Sequence, residues 1–220
     1  MNINNLHQAH HNMVEQQIRP WDVLDDRVLQ TLSQVSRADY VPAAYKSLAY
    51  ADTAIPLAHN EMMTHPVVEG RMLQALNIQP MDTVLEIGTG SGYFTACLAH
   101  LAMQVDSMDI HAEFTHAAAT RLKAHNIQNV NLLTADAMHG PAADKTWDVI
   151  VFTGSVCEMP TAYKTALRLN GRMFVITGEA PVMQARLITR TGDQAWANQV
   201  LFETSLKPLC HAEKKKQFEF

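Results

Sequence analysis

Three glycines stand at alternate positions directly after an apolar stretch of the chain. The segment Val84–Tyr93 reads Val-Leu-Glu-Ile-Gly-Thr-Gly-Ser-Gly-Tyr. Because glycine lacks a Cβ, a glycine-rich turn that follows a strand lets the backbone come close to a bound ligand. The segment therefore predicts a ligand-binding loop, and a tight turn without a ligand is the alternative. The predicted loop residues are Gly88, Thr89, Gly90, Ser91 and Gly92.

The glycine spacing and an acidic residue narrow the class of ligand. Dinucleotide-binding folds use G-x-G-x-x-G, in which the third glycine lets a helix pack against the strand. Here the bulky Tyr93 occupies that third position, and Glu86 lies two residues before Gly88. A carboxylate at this place accepts hydrogen bonds but repels a pyrophosphate. The pattern favours a ligand with a ribose and a positive or zwitterionic tail, of which S-adenosylmethionine is the common example.

Two more acidic residues come at the ends of predicted strands. Asp109 is placed to accept hydrogen bonds from both hydroxyls of a ribose, as acidic residues do in such folds. Capping of the following helix is its alternative role. Asp136 ends the next predicted strand, where stabilisation of a turn is the alternative to a ligand contact.

The elements that would position these residues alternate between strand and helix. Strands are predicted at Thr83–Ile87, Gln104–Ile110, Val130–Asp136, Trp147–Thr153 and Arg172–Thr177, and helices at Tyr93–Ala102, Glu113–His125 and Ala162–Leu169. Such alternation predicts an α/β fold with a Rossmann-like, doubly wound, mostly parallel sheet and ligands at the carboxyl ends of its strands. A final pair, Gln184–Arg190 and Ala195–Thr204, is joined by a turn signal at residues 191–193 and predicts an antiparallel hairpin.

The first eighty residues precede this alternation. Helices are predicted at Leu6–Ile18, at Asp25–Val35 with Asp25 as N-cap, and at Val67–Leu76. No linker separates them from the rest, so we expect one structural unit. Within it, residues 1–80 form an N-terminal helical cap with a substrate-side loop, and residues 81–220 form the cofactor-binding core.

Composition bounds the partners and the location. The net charge is −5, which argues against nucleic acid as a partner, and no stretch reaches the roughly 18 apolar residues of a membrane span. The first twenty residues carry no apolar signal region, and Cys97, Cys157 and Cys210 are widely spaced. We therefore expect a cytoplasmic protein with reduced thiols. His7 and His11 share a helical face, which we interpret as solvated rather than as a metal site.

In several further segments, as well as in the glycine motif, the chain resembles the protein-L-isoaspartate (D-aspartate) O-methyltransferase family. The matching segments are Met13–Ile18, Asp26–Leu29, Tyr40–Pro42, Ala49–Asp52, Ile55–Leu57, Val84–Tyr93, Trp147–Val151 and Gln184–Arg190. The resemblance implies a class I methyltransferase that uses S-adenosylmethionine to methylate the carboxylate of isoaspartyl residues in damaged proteins or peptides. It also implies that Asp136 lies near the adenine amino group, with Ala137 supplying a backbone contact.

The chain departs from the family at the loop Asn60–Pro66. The family carries a Gly-Gln-Thr-Ile-Ser-like loop whose hydroxyl lies at the substrate carboxylate, and the register from Pro66 puts Thr64 at that position. Asn60 replaces the glycine and Glu61 the glutamine. An unpaired Glu61 would repel an anionic substrate, so it points outward, binds a cation, or indicates another substrate. Met62 and Met63 line an adaptable pocket or pack in the core.

Methyl transfer from a sulfonium to a carboxylate is an in-line displacement. The carboxylate is already ionised at neutral pH, so positioning and exclusion of water, not a strong base, should drive the reaction. Small residues at 153–155 either leave room for a substrate or form only a turn, and Lys214–Lys216 reads as a solvated tail. Alternatives are a methyltransferase with another acceptor, a non-catalytic cofactor-binding protein and, least favoured, a nicotinamide oxidoreductase. The oligomeric state is not predicted.

Overall fold

A seven-stranded sheet forms the centre of the computed structural model, which describes residues 3–212. The strands in chain order are β1 (Ile55–Pro56), β2 (Met62–Met63), β3 (Thr83–Ile87), β4 (Gln104–Asp109), β5 (Val130–Thr134), β6 (Trp147–Val156), β7 (Leu167–Glu179), β8 (Val182–Gly192) and β9 (Ala195–Thr204). The sheet consists of β3 to β9. The helices are α1 (Ile3–Asn12), α2 (Asp26–Gln34), α3 (Pro66–Leu76), α4 (Tyr93–Leu101), α5 (Ala112–Ala124) and α6 (Thr161–Thr165). None of the helices described is both long and apolar enough to cross a membrane.

The strand order confirms the predicted fold class. The order is β5-β4-β3-β6-β7-β8-β9, with parallel pairing from β5 to β7 and antiparallel pairing of β8 and β9. The central strands are buried on both faces, as expected for a parallel sheet covered by helices. Val84 of β3 enters one apolar cluster with Leu98 of α4, and Leu85 enters a second cluster with Tyr163 of α6. Because β3 pairs in parallel with both β4 and β6, the carboxyl ends of these three strands meet at one edge of the sheet.

The structure corrects two predicted elements. The predicted helix Ala162–Leu169 ends at Thr165, because Leu167 is fully buried and pairs with Trp147 at the start of β7. The predicted helix Leu6–Ile18 is α-helical only to Asn12 and continues as a π-helix over Met13–Ile18. Local propensity does not report the tertiary pairing that decides such boundaries.

The N-terminal residues pack on the sheet-bearing part of the chain. Met13, Ile18 and Leu32 are fully buried in the same apolar cluster as Val84 and Leu98. Asp25 caps α2 by accepting a hydrogen bond from the backbone N–H of Arg27, as predicted. The division into a cap of residues 1–80 and a core of residues 81–220 stays a prediction. His7 and His11 are exposed on α1, and Lys214–Lys216 lie outside the described residues.

The chain returns to the carboxyl end of β6 after β9, and we call residues 205–212 the C-terminal strap. The backbone N–H of Ser155 donates to the carbonyl of Lys207 at 3.0 Å, and the N–H of Leu209 donates to the carbonyl of Ser155 at 2.9 Å. The Ser155 hydroxyl also donates to the carbonyl of Leu206 at 2.7 Å. Ser155 therefore fastens the strap to the edge of the sheet where the strands end.

We expect Gly154→Ala to loosen the strap. A Cβ at Gly154 would lie 2.7 Å from Leu209 Cδ2 and 2.8 Å from its Cγ, so the substitution should cost about 1–3 kcal/mol of stability. Denaturant unfolding measures this cost, with Gly192→Ala as the control, because its Cβ would meet Ala195 at an ordinary 3.4 Å. Leu209→Ala should remove most of the added cost of Gly154→Ala. Strictly additive effects in the double variant would contradict the contact.

Candidate functional site

A cavity of about 210 Å³ lies at the carboxyl ends of β3, β4 and β6. Its walls include the glycine loop, the Asn60–Pro66 loop and the C-terminal strap, together with residues that follow β4 and β5. Two of the three small residues at 153–155, Thr153 and Gly154, line the cavity. The third, Ser155, instead holds the strap. A crevice at strand carboxyl ends is where open α/β sheets bind ligands.

The glycine loop adopts a backbone that only glycine accepts readily. The φ angles are 100° at Gly88, 51° at Gly90 and 84° at Gly92, all in the left-handed region. A Cβ at Gly88 would collide with the hydroxyl of Thr153, which hydrogen-bonds the carbonyls of Ile87 and Gly88 at 2.9 and 2.8 Å. The two-residue glycine spacing thus has a steric cause, and it brings bare backbone to the cavity wall.

The residues between the glycines also reach the cavity but are themselves mostly buried. Thr89 and Ser91 are 3% and 7% exposed. The Thr89 hydroxyl lies 2.6 Å from that of Ser107 on β4. The Ser91 hydroxyl accepts a hydrogen bond from the backbone N–H of Tyr93 at 3.3 Å, at the start of α4. These hydroxyls therefore brace the loop against its neighbouring elements.

Asp109 joins the end of β4 to the glycine loop. One carboxylate oxygen accepts from the backbone N–H of Gly90 and the other from that of His111, both at 2.9 Å. Burial raises the pKa of Asp109 more than these two hydrogen bonds lower it. The side chain lines the cavity, and each oxygen keeps a lone pair for a second donor such as a ribose hydroxyl.

Asp136 and Ala137 form the wall on the side of β5. One Asp136 oxygen accepts from the backbone N–H of Met138 at 2.8 Å, so the carboxylate stabilises the turn after β5. The other lies 2.7 Å from Nδ1 of His211 on the strap. Burial opposes ionisation, but the hydrogen bonds from His211 and Met138 outweigh it and lower the pKa of Asp136. Both Asp136 and Ala137 line the cavity.

Glu86 and Gly92 lie outside the cavity lining, which contains the other predicted cofactor residues. Glu86 is 0% exposed and lies beneath the glycine loop. Its Oε2 accepts hydrogen bonds from the hydroxyls of Thr95 and Ser107, both at 2.5 Å. Its Oε1 has no hydrogen-bond partner among residues 3–212. Burial raises the pKa of Glu86 to about 8, so the group braces α4 against β3 and β4 largely as a neutral acid.

The Asn60–Pro66 loop accommodates both of its departures from the family pattern. Asn60 has a φ of 59°, a left-handed angle that asparagine tolerates better than most residues with a side chain, so it can stand where the family has glycine. Glu61 forms an ion pair with Nζ of Lys207 at 2.6 Å, and the same ammonium donates to the carbonyl of Asn60 at 2.7 Å. Of the three alternatives for Glu61, the structure shows binding of a cation, which is the ammonium of Lys207 on the strap.

Thr64 is held at the cavity by a buried arginine. Arg37 is 0% exposed, and its guanidinium donates to the carbonyl of Thr64 at 2.5 Å and to that of Ala49 at 3.2 Å. It also lies 3.4 Å from Glu69, where burial outweighs the nearby Arg37 charge and raises the pKa of the carboxyl to about 7. Thr64 is 8% exposed and lines the cavity. Arg37 therefore fixes the backbone that carries the predicted hydroxyl.

The other side chains of the loop divide between solvent and core. Met62 is 42% exposed and Met63 is buried at 5%, and both border the cavity. His65 lies 3.6 Å from Asp52 and is half-exposed. Sequence reasoning missed Arg37, Lys207, His111 and Cys210 as site residues. Lys207, His111 and Cys210 line the cavity, whereas Arg37 is buried behind Thr64, and no local motif marks any of the four.

The seven-stranded sheet, its terminal antiparallel pair and the glycine-loop cavity define a Rossmann-like methyltransferase fold. The chain belongs to the protein-L-isoaspartate(D-aspartate) O-methyltransferase family, whose model matches residues 8–214. The family pattern seen in the sequence and the range matched by the family model both cover nearly the whole chain.

Curated relatives and a solved structure agree with this membership. The protein-L-isoaspartate O-methyltransferase of Koribacter versatilis is 35% identical over 178 residues, 81% of this chain and 80% of that protein. That of Rhodopseudomonas palustris is 33% identical over 208 residues, 94% of this chain and 95% of that protein. A Plasmodium falciparum structure named for the same enzyme, in complex with S-adenosyl-L-homocysteine, has the same fold. Its TM-score is 0.78 at 20% identity, over 91% of this chain and 97% of that one.

The raised pKa of Glu86 predicts a pH dependence of stability. An unfolded glutamate titrates near 4.5 and the folded Glu86 near 8, so the folded state holds the proton more tightly between these values. Stability should therefore fall as pH rises through this window, by at most about 1.4 kcal/mol per pH unit. Glu86→Gln, which mimics the neutral acid, should flatten this decline in denaturant unfolding measured from pH 5 to 8. The exposed Glu158→Gln is the control, and equal slopes in both variants would refute the assignment.

Proposed function

We propose that this protein transfers the methyl group of S-adenosylmethionine to the free carboxylate of isoaspartyl residues in damaged proteins or peptides. The observation that carries the proposal is the single cavity in which the glycine loop and Thr64 meet. Family membership over residues 8–214 supports the same reaction, as do relatives named for it.

The cavity fits the proposed cofactor. The left-handed glycine backbone would cradle it, Asp109 would accept from its ribose hydroxyls, and Asp136 with Ala137 would border its adenine. When bound, the cofactor supplies an electrophilic methyl group on a sulfonium. We assign Glu86 an indirect role, because its buried carboxyl group supports the loop from below. The cofactor residues of the proposal are Gly88, Thr89, Gly90, Ser91, Gly92, Asp109, Asp136 and Ala137.

The acceptor side of the cavity suits an anionic substrate. Thr64 can donate its hydroxyl hydrogen to the accepting carboxylate and hold it in line with the methyl group. Glu61 does not present an unpaired negative charge, because Lys207 neutralises it at 2.6 Å. Because the substrate carboxylate is already ionised at neutral pH, the reaction needs no proton-abstracting base. The contribution of the chain is to orient the carboxylate and exclude water.

We also propose a cytoplasmic location. Cys97, Cys157 and Cys210 are all free thiols in the structure. Free thiols of this kind are typical of a reducing compartment. Fractionation of the source cells with an antibody to this chain would test the location.

A paired-peptide assay tests the proposed reaction. The protein is incubated with methyl-labelled S-adenosylmethionine and either an isoaspartyl peptide or the same sequence with normal aspartate. We expect label only in the isoaspartyl peptide, lost on mild base treatment as a methyl ester is. Binding of S-adenosylhomocysteine without labelling of either peptide would overturn the isoaspartyl assignment and favour a different acceptor. Absence of cofactor binding would overturn the methyltransferase assignment as well.

Thr64→Ala should lower kcat/KM for the isoaspartyl peptide by about 10- to 100-fold, the effect of losing one hydrogen bond to a charged group. Affinity for S-adenosylhomocysteine, measured by calorimetry, should stay within a factor of about two, because Thr64 lies on the acceptor side. Thr64→Ser should restore most of the activity. Thr53→Ala is the matched control, since Thr53 lies outside the cavity lining. Full activity of Thr64→Ala would remove its hydroxyl from the mechanism.

A further inference from the structure

Three potential metal ligands from distant parts of the chain converge at the rim of the cavity. They are Glu61 on the Asn60–Pro66 loop, His111 after β4 and Cys210 on the C-terminal strap. Cys210 Sγ lies 3.7 Å from Glu61 Oε1 and 3.9 Å from His111 Nε2. All three ligand atoms lie within 4.8 Å of one another, and the proposed methyl transfer uses none of them.

We propose that Glu61, His111 and Cys210 form a binding site for Zn²⁺. Thiolate sulfur, imidazole nitrogen and carboxylate oxygen are the donors that zinc takes in proteins, at bond lengths of about 2.0–2.3 Å. Around a tetrahedral ion, such bonds place neighbouring ligand atoms about 3.3–3.6 Å apart. The observed separations from Cys210 exceed this by only a few tenths of an ångström, so side-chain movements that include displacement of Lys207 complete the site. Three protein ligands leave the fourth position to water.

Residues around His111 fix the direction of its imidazole. The ring stacks on that of His59 with centroids 4.0 Å apart and planes 3° from parallel, and Phe114 packs edge-on at 5.5 Å. His59 is itself held by Glu113, whose carboxylate lies 2.9 Å from its Nε2. Packing of this kind restricts rotation of the His111 ring. It keeps Nε2 of His111 aimed at Cys210.

Lys207 competes with the metal for one ligand. Its ammonium lies 2.6 Å from Glu61 Oε1, the oxygen nearest to Cys210. Zinc can take this oxygen only if Lys207 moves away from it, and the carbonyl of Asn60, already 2.7 Å away, can retain the ammonium. Replacement of Lys207 by an uncharged residue should therefore tighten metal binding, the reverse of the usual effect of a substitution beside a binding site.

Bound zinc would fasten the Asn60–Pro66 loop to the strap across the mouth of the cavity. The ion would replace the Glu61–Lys207 pair by shorter bonds to three segments of the chain. It would thereby hinder entry of a peptide to the acceptor side. The metal is thus expected to slow a methyl transfer that needs none.

Calorimetric titration of the whole chain with Zn²⁺, without cofactor or peptide, tests the site. The parent for all variants carries His7→Ala and His11→Ala, because these exposed histidines offer a competing zinc site. We expect one equivalent of Zn²⁺ to bind, with affinity reduced at least tenfold in Cys210→Ser and in His111→Ala. Cys157→Ser is the matched cysteine control and should bind as the parent does. Lys207→Met should bind at least threefold more tightly.

Co²⁺ provides a second readout at the same site. The cobalt adduct of the parent should show the thiolate-to-metal charge-transfer absorption, and Cys210→Ser should lack it. Circular dichroism without metal checks that each variant is folded, and His111→Ala serves if Cys210→Ser is not. Equal zinc affinity in the parent and both ligand variants, or a cobalt adduct without the thiolate band, would overturn the proposal. Neither result would touch the methyl-transfer assignment, since both titrations exclude cofactor and peptide.

Discussion

The chain leaves β3 through three residues with positive φ, and this backbone constraint determines where the rest of the site can lie. The turn presents the N–H of Gly90 to Asp109, which ties the end of β4 to the loop at 2.9 Å. It also leaves just enough room for the hydroxyl of Thr153 on β6. The carboxyl ends of three strands are thereby locked in one arrangement before any ligand binds. Such preorganisation limits the entropy lost on binding.

Two buried ionisable groups support this arrangement from opposite sides. Glu86 links β3 to α4 and β4 from beneath the loop, and Arg37 holds the backbone of Thr64 on the acceptor side. Arg37 also lies 5.6 Å from the ring centre of Tyr93, the residue that replaces a dinucleotide fold's third glycine. The bulky Tyr93 thus has a structural use: at the start of α4 it packs against Arg37 from the N-terminal part of the chain.

Short-range patterns in the sequence predicted the elements that carry the candidate site residues. The alternation of strands and helices placed Asp109 at a strand end, and the glycine spacing predicted the loop whose positive φ angles favour glycine. The sequence could not predict that the Glu86 side chain is turned inward, because this orientation depends on hydroxyl groups from α4 and β4. Nor could it pair Glu61 with Lys207, which lies 146 residues away. The end of α6 at Thr165 was missed for the same reason, since long-range pairing of Leu167 overrides local helix propensity.

The C-terminal strap has a consequence for how ligands reach the cavity. It is held to the sheet by the backbone of Ser155, by contact of Leu209 with Gly154, and by polar contacts to side chains at the rim. None of these contacts belongs to the hydrogen-bond ladders between the seven strands. Release of the strap is therefore a sub-global opening that leaves the sheet paired and costs less free energy than unfolding. Release of the strap would let the cavity exchange its contents, while the strands that carry the glycine loop keep their register.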